Sequence, residues 1–250
     1  MHTDREFIEK AERASLWAWP PKEIVYVSGW LMHAGEASIP RLNLTRTLRF
    51  EQGADLDRAI AKVEGWFAER QRIPRFQIAD VVEPENLEEE LEERGYERTA
   101  ETSVWWRPLD ELPPADPAIE IETRPRAAVM NAIADPNWDE TVREDYAAMF
   151  ERIKRPLALA VAFEGEFPVA GGACVVVDDL AVIHSLFTQP LFRGRGHGRA
   201  VLARLLGWAR AMDGREAVIH VHDRNEIGQA LVRRFDFVRR YGYAWRQKEA

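Results

Sequence analysis

The chain has a single cysteine, Cys174, in 250 residues, which excludes an internal disulfide and any cysteine-rich metal centre. It lies in Gly171-Gly-Ala-Cys-Val-Val-Val177, a strand-like run in which a buried core thiol is the expected state. Long hydrophobic runs are also missing: none approaches the roughly 20 residues that span a bilayer. The charged start Asp4-Arg-Glu6 lacks the basic-then-apolar order of a signal peptide. Positive charge is in deficit, with 34 Lys and Arg against 42 Asp and Glu and a formal net charge of −8. That balance argues against a nucleic-acid or anionic-membrane partner. No histidines, cysteines and carboxylates stand at metal-ligand spacing, so no metal is expected. The expectation left is a soluble, cytoplasmic protein. What is present is apolar: 46% hydrophobic residues and nine tryptophans, enough core for one large domain or two of ordinary size.

The densest signal is Arg193-Gly-Arg-Gly-His-Gly198, followed at once by Arg199 and an apolar-periodic run to Leu206. Before it, Ala181-Val-Ile-His-Ser-Leu-Phe-Thr-Gln-Pro190 is β-branched, apolar and stopped by proline, which reads as a buried strand. Val201, Leu205 and Trp208 then repeat at helical spacing. A glycine-rich turn therefore joins a strand to a helix. Glycines at alternate positions let backbone N–H groups converge without Cβ obstruction. The helix N-terminus adds unpaired donors and a partial positive charge, and Arg193, Arg195 and Arg199 add full charges. The chemistry is that of a pyrophosphate site. The Gly-Lys-Ser/Thr ending of a nucleotide P-loop is absent, and the glycine order differs from the dinucleotide fingerprint.

Arg193-x-x-Gly196-x-Gly198 between strand and helix resembles the acetyl-CoA signature of GNAT-type N-acetyltransferases. Downstream, Ala217-Val-Ile-His-Val221 reads as a strand, and Asn225 opens a helix ending in Arg233-Arg-Phe-Asp-Phe237. This is similar to the family's Asn-x-x-Ala-x-x-Leu-Tyr-x-x-x-Gly-Phe segment. The resemblance covers residues 118 to 250 and implies an α/β fold, a mixed, mostly antiparallel sheet flanked by helices. It implies acetyl-CoA as cofactor, held by Leu186, Phe187, Thr188, Arg193, Gly194, Arg195, Gly196, His197, Gly198, Arg199 and Asn225. It also implies that the strand before the glycine turn splays from its neighbour, and that one N–H among Leu186, Phe187 and Thr188 receives the developing oxyanion. Three departures stand out. The family's general-acid tyrosine falls at Val232, its alanine at Gly228, and the glycine of Gly-Phe at Asp236.

Leu109-Asp-Glu-Leu-Pro-Pro-Ala-Asp-Pro117 reads as a linker. Beyond it the order is a strand at 119–123, helices at 127–134 and 141–153, a hairpin of 157–163 and 169–177, and the strand 182–188. Residues 1 to 108 read as a decayed copy of the same plan. Strands fall at 24–32, 44–50, 76–79 and 96–106, with helices at 56–67 and 87–94. Gly65-Trp66 matches Gly207-Trp208 at an offset of 142 (207 − 65), and Gly95-Tyr96 matches Asp236-Phe237 at 141 (236 − 95). Projected by that offset, Arg193 falls on Glu51, Gly196 on Ala54 and Gly198 on Leu56, beside Asp55 and Asp57. The first half is therefore expected to bind no coenzyme A.

Candidate catalytic groups are few. His184 lies an even number of residues before Leu186, so regular alternation puts it on the face of Leu186 and Thr188. It reads equally as a general base or as a packed core histidine. His220 and His222 share one face of the next strand and read as structural or substrate-facing. Tyr241 and Tyr243, on the last strand, are the candidate acids, with Tyr243 favoured and a ring packed at a strand edge the equal alternative, although a thiolate with a pKa of about 8.5 leaves tolerably without an acid. The expected activity is acetyl transfer to a primary amine of a small molecule or a protein. The alternative is a non-catalytic coenzyme-A-binding sensor or protein-interaction module. Acceptor and oligomeric state stay open.

Overall fold

The computed structural model describes residues 4–248. In chain order the elements are α1 (Arg5–Ala18), β1 (Glu23–Val27), β2 (Trp30–Ala34), a 3₁₀ turn at Pro40–Leu42, β3 (Leu44–Arg46), α2 (Leu56–Ala68), β4 (Arg75–Ala79), α3 (Leu87–Glu93) and β5 (Glu97–Pro108). There follow β6 (Glu120–Glu122), α4 (Ala127–Ile133), α5 (Glu140–Arg152), β7 (Leu157–Glu164), β8 (Phe167–Val177), β9 (Leu180–Thr188), a 3₁₀ turn at Pro190–Phe192, α6 (His197–Ala211), β10 (Glu216–His222), α7 (Glu226–Arg233) and β11 (Val238–Gln247).

The strands form one sheet in the order β1-β2-β3-β4-β11-β5-β10-β9-β8-β7-β6. Among the described residues only β3·β4 and β9·β10 run parallel, so the sheet is mixed and mostly antiparallel, as expected. Its middle is interleaved. β5, from before residue 109, lies between β10 and β11, with Val104 opposite His220 on one side and Tyr241 on the other. β11, from the chain's end, lies between β4 and β5. The segment that follows β5 is also fastened: Leu109 N–H donates to Arg215 O at 2.8 Å, and Arg210 Nη1 to Leu109 O at 2.9 Å.

Alternation along the strands builds two cores. Leu180 and Val182 of β9, with Leu159 and Val161 of β7, face α1, α4 and α5. Ala181 and Ile183, with Ala158 and Ala160, face α6 and α7. Burying one such aliphatic side chain contributes about 1.5–3 kcal/mol, and both faces of the central strands are covered. A third core packs α2 and α3 on Trp30, Met32, Phe76 and Ile78. Among the described residues no helix is long and apolar enough to cross a membrane.

Three readings need correction. The run 24–32 is two strands, because Ser28 (φ 50°) and Gly29 (φ 89°) turn the chain. A Cβ at Gly29 would lie 3.0 Å from the Glu51 backbone nitrogen, so the turn needs glycine there twice over. The run 44–50 ends as a strand at Arg46. Helix α1 was not expected at all. Asp4 caps it, accepting from Phe7 N–H at 3.1 Å, and its buried face carries Glu12 and Ser15 beside Phe7, Ile8, Ala11 and Ala14.

Candidate functional site

Helix α6 begins on a bare backbone. Its capping residue Gly196 has φ 90° and Gly194 has φ 77°, left-handed conformations that glycine adopts without strain. No side chain caps the first turn, so its N–H groups point outward as donors for an anion. A Cβ at Gly198 would come within 3.0 Å of Thr188 Oγ1, so this glycine lets the helix start close to the end of β9. Arg193 and Arg199 are exposed. Arg193 Nε turns back to Thr188 O at 3.1 Å, with its guanidinium 5.5 Å from the Phe187 ring centroid. Arg195 and His197 face Glu164 on the β7–β8 hairpin, at 2.9 and 2.7 Å. The His197 contact, helped by Arg195, holds the Glu164 carboxyl below the usual range.

The strand leading into this turn is bulged and splayed. Ala173 of β8 pairs with His184, and Gly171 with Phe187, so one β8 residue faces two on β9. Ser185 takes φ 52° inside this bulge. Gly172, opposite it, has no Cβ to collide with Leu186 Cδ1 at 3.0 Å. On the other edge, β9 pairs with β10 only as far as Ile183 and Ile219. Residues 184–188 and 220–222 then diverge, leaving the half-buried Leu186, Phe187 and Thr188 along an open slot. The bulge corrects one expectation. His184 keeps the parity of Leu180 and Val182 and stacks on Phe150 at 5.7 Å. Leu186 instead packs on the α6 side, so His184 does not share a face with Leu186 and Thr188.

On the α1 face, residues from both ends of the chain converge at the splay. The Trp19 ring lies 4.6 Å from His184 and 6.0 Å from Tyr146, which in turn lies 4.1 Å from Trp138. His220 Nε2 meets Ser15 Oγ at 3.0 Å, and its Nδ1 meets the Tyr243 hydroxyl at 3.2 Å. Arg41, in the 3₁₀ turn, donates to the same hydroxyl. Burial first, and Arg41 next, push the His184 imidazole down to about 3. The same two causes take His220 well below its ordinary range. Burial raises the Tyr243 phenol, with Arg41 pulling the other way. His184 Nε2 is buried without a hydrogen-bond partner among the described residues.

The residues foreseen from sequence thus fall into two groups. Leu186, Phe187, Thr188, Arg193, Gly194, Arg195, Gly196, His197, Gly198 and Arg199 run from the end of β9 through the glycine turn into the first turn of α6. Exposed Asn225 caps α7, its Oδ1 accepting from Gly228 N–H at 2.9 Å. His184 and Tyr243 lie on the opposite face, joined through Trp19, Arg41 and His220. His222 is exposed at the strand end, its Nδ1 accepting from Arg224 N–H at 3.1 Å. Val232 is buried in the α6–α7 core. The sequence reading missed Ser15, Trp19, Arg41, Tyr146 and Glu164. None lies in a motif; only long-range folding gathers them.

A strand bulged and splayed beside a parallel neighbour, running into a glycine-capped helix, defines a GNAT-type N-acetyltransferase fold. The chain belongs to the family described as "probable histone acetyltransferase Rv0428c C-terminal", whose profile matches residues 6–245. Among solved structures it is similar to a GCN5-related N-acetyltransferase from Kribbella flavida, at 15% identity and TM-score 0.73, covering 100% of this chain and 97% of that one. A GCN5-related N-acetyltransferase from Sphaerobacter thermophilus is 17% identical with TM-score 0.64, over 95% and 85%. A tandem GNAT protein from the clavulanic acid biosynthesis pathway is 12% identical with TM-score 0.64, over 96% and 87%. No curated protein matches the chain.

Proposed function

We propose that the protein is an acetyl-CoA-dependent N-acyltransferase acting on a primary amine. The observation that carries this is the end of β9·β10 pairing at Ile183 and Ile219, with a bulge just beyond it. Two strands that part inside a sheet leave backbone donors and acceptors to be satisfied by something else. The pantetheine arm of coenzyme A would run along Leu186, Phe187 and Thr188 like an added strand. Its pyrophosphate would take the bare N–H groups of α6, with Arg193, Arg195 and Arg199 nearby. Bound acetyl-CoA supplies an acyl thioester, whose carbon the acceptor nitrogen attacks as the C–S bond breaks.

The chain's own groups do the rest. A backbone N–H beyond the bulge donates to the acyl oxygen as charge develops there, a fixed dipole that needs no reorganisation. The acceptor enters from the α1 face, walled by Trp19, Tyr146 and Phe150. An imidazole held near 3 is a poor base for an ammonium ion, so His184 serves as a neutral wall and hydrogen-bonding group. The burial and positive field that keep His184 and His220 neutral also favour an amine bound without its extra proton. Tyr243, hydrogen-bonded to His220 on the β10 arm, is the candidate proton donor to the departing thiolate.

We read residues 1–108 as a degenerate GNAT-like half without a cofactor site, joined by 109–117 to the acetyltransferase half 118–250. The parallel pairs β3·β4 and β9·β10, each followed by one strand in the centre of the sheet, support that reading. The decisive variant is Gly198→Glu. It puts bulk against Thr188 and a negative charge at an anion site, so acetyl-CoA binding should disappear from a folded protein. Unchanged affinity in that variant refutes the site. Binding without coenzyme A release, over a panel of amines, would instead give a non-catalytic sensor.

A further inference from the structure

Arg41 is a half-buried cation with an unusual set of neighbours. Its one hydrogen bond among the described residues goes to the Tyr243 hydroxyl. Its guanidinium carbon lies 5.8 Å from the Trp19 ring centroid and 5.6 Å from that of Tyr243. Among the described residues, no carboxylate forms an ion pair with it.

The fold's fully buried arginines, Arg46, Arg107 and Arg246, are engaged differently, and so is half-buried Arg152. Arg46 pairs with Glu12, Arg152 with Glu36, and Arg246 with Glu88 and Glu92. Arg107 spends its donors on the carbonyls of Pro108, Phe235 and Glu111. Glu12, a buried acid whose charge acts on Arg41, is already occupied: it also accepts from Tyr241 Oη at 2.6 Å and Gln77 Nε2 at 2.7 Å. A guanidinium has five donors in a planar fork that matches a carboxylate. Arg41 uses one.

The position gives this meaning. Arg41 reaches His220, on the β10 arm of the splay, through Tyr243. It reaches His184, on the β9 arm, through Trp19. It therefore stands on the acceptor side of the slot, one side chain removed from each arm. A fixed cation there repels a bare ammonium group and attracts an anion. Resting on the acyltransferase function proposed for this site, we infer that the acceptor is a small amino carboxylate, whose carboxylate is received by the Arg41 guanidinium while its amine faces the slot. Trp19, Trp138, Tyr146 and Phe150 provide apolar walls for its carbon skeleton. A lysine side chain of a protein, with no carboxylate of its own nearby, lacks the group that would neutralise Arg41.

The test uses the full chain, acetyl-CoA and a thiol reagent that reads coenzyme A release. Apolar amino acids are compared with their decarboxylated amines, their methyl esters and a lysine-containing peptide. The free acids should be preferred at least about 100-fold in kcat/KM, since a site built for a polar group rejects analogues that lack it. Arg41→Gln should erase most of that preference by raising KM for the acids, with acetyl-CoA affinity unchanged. Arg41→Lys keeps the charge but loses the fork and should fall between. Calorimetry of the same acids on the protein with coenzyme A should give a loss of at least tenfold for Arg41→Gln. Equal turnover of acids, amines and peptide overturns this inference and leaves the acyltransferase intact. No release with any acceptor overturns both.

Discussion

Asp55 and Gly196 hold the same position, one residue before a helix, in two segments 141 residues apart (196 − 55), and they leave those helices in opposite states. The Asp55 carboxylate accepts from Arg58 N–H at 3.0 Å and fills the start of α2, with Asp57 in the first turn. Gly196 leaves α6 open. A filled cap satisfies the donors that an anion would need and adds the wrong charge.

One acetyl-CoA per chain is the expected stoichiometry. Titration calorimetry should give a value near one, and Asp55→Gly should not raise it, because Asp57 remains. A value near two would mean that the α2 segment binds cofactor despite its carboxylates.

The pH profile is the second expectation. With His184 held near 3 by burial and by Arg41, no group at the acceptor face titrates like an ordinary histidine. Activity should rise with pH as the free amine accumulates, without an inflection at 6–7. His184→Gln should retain turnover within about tenfold of wild type, since only a true general base contributes 100-fold or more. A loss of 100-fold, or an inflection near 6.5 that the variant removes, would restore His184 as the base.

The open helix N-terminus was legible in the chain because it is local: strand, alternate glycines, arginines and apolar period lie within about 25 consecutive residues. The acceptor face was not. Helix α1 escaped because its buried face includes Glu12 and Ser15, which break the apolar pattern that marks a helix. The bulge at Ser185 has no local signature, yet it reverses the face of every residue after it, which is why alternation misassigned His184. Arg41 follows Pro40 in a short 3₁₀ turn with no period to read. The insertion of β5 between β10 and β11 depends on pairing across more than 100 residues, and strand periodicity carries no information about partners.

Glu36 and Arg152 supply a stability prediction. The Glu36 carboxylate, 3% exposed, meets both Arg152 Nη atoms at 2.5 Å and Lys22 Nζ at 3.1 Å. Burial alone would raise its pKa, but the Arg152 and Lys22 donors outweigh it and hold the pKa below the ordinary value. A depressed carboxylate pKa contributes stability that is present above about 4.3, the unfolded value, and lost as pH falls through the folded one. Glu36→Gln should therefore cost about 2 kcal/mol at pH 7, the scale of charged hydrogen bonds. In urea melts the gap between variant and wild type should narrow towards pH 3. A gap that stays constant would trace the loss to packing instead of charge.

The last prediction concerns residues 116–250 expressed alone. In the intact chain β10 is bounded on one side by β9 and on the other by β5, and β11 touches no strand from its own half. Removing the first 115 residues takes β5 out of the centre of the sheet and β4 from its far side. It also strips α1 from the face of β8 and β9, exposing Val175, Val177, Leu180 and Val182. β11 would have to close directly onto β10, a pairing that the full protein never makes. Without that rearrangement, two unpaired strand edges and a large apolar face meet water, the conditions that favour aggregation. The truncated chain should accordingly be insoluble, or soluble with exposed apolar surface detectable by dye binding. Even where it binds acetyl-CoA through the intact α6 turn, it should transfer no acyl group, because Ser15, Trp19 and Arg41 are gone. A monomeric, soluble 116–250 fragment with full activity on the wild-type acceptor would remove the first half from the acceptor site, and with it any part for Trp19 and Arg41 in holding the acceptor.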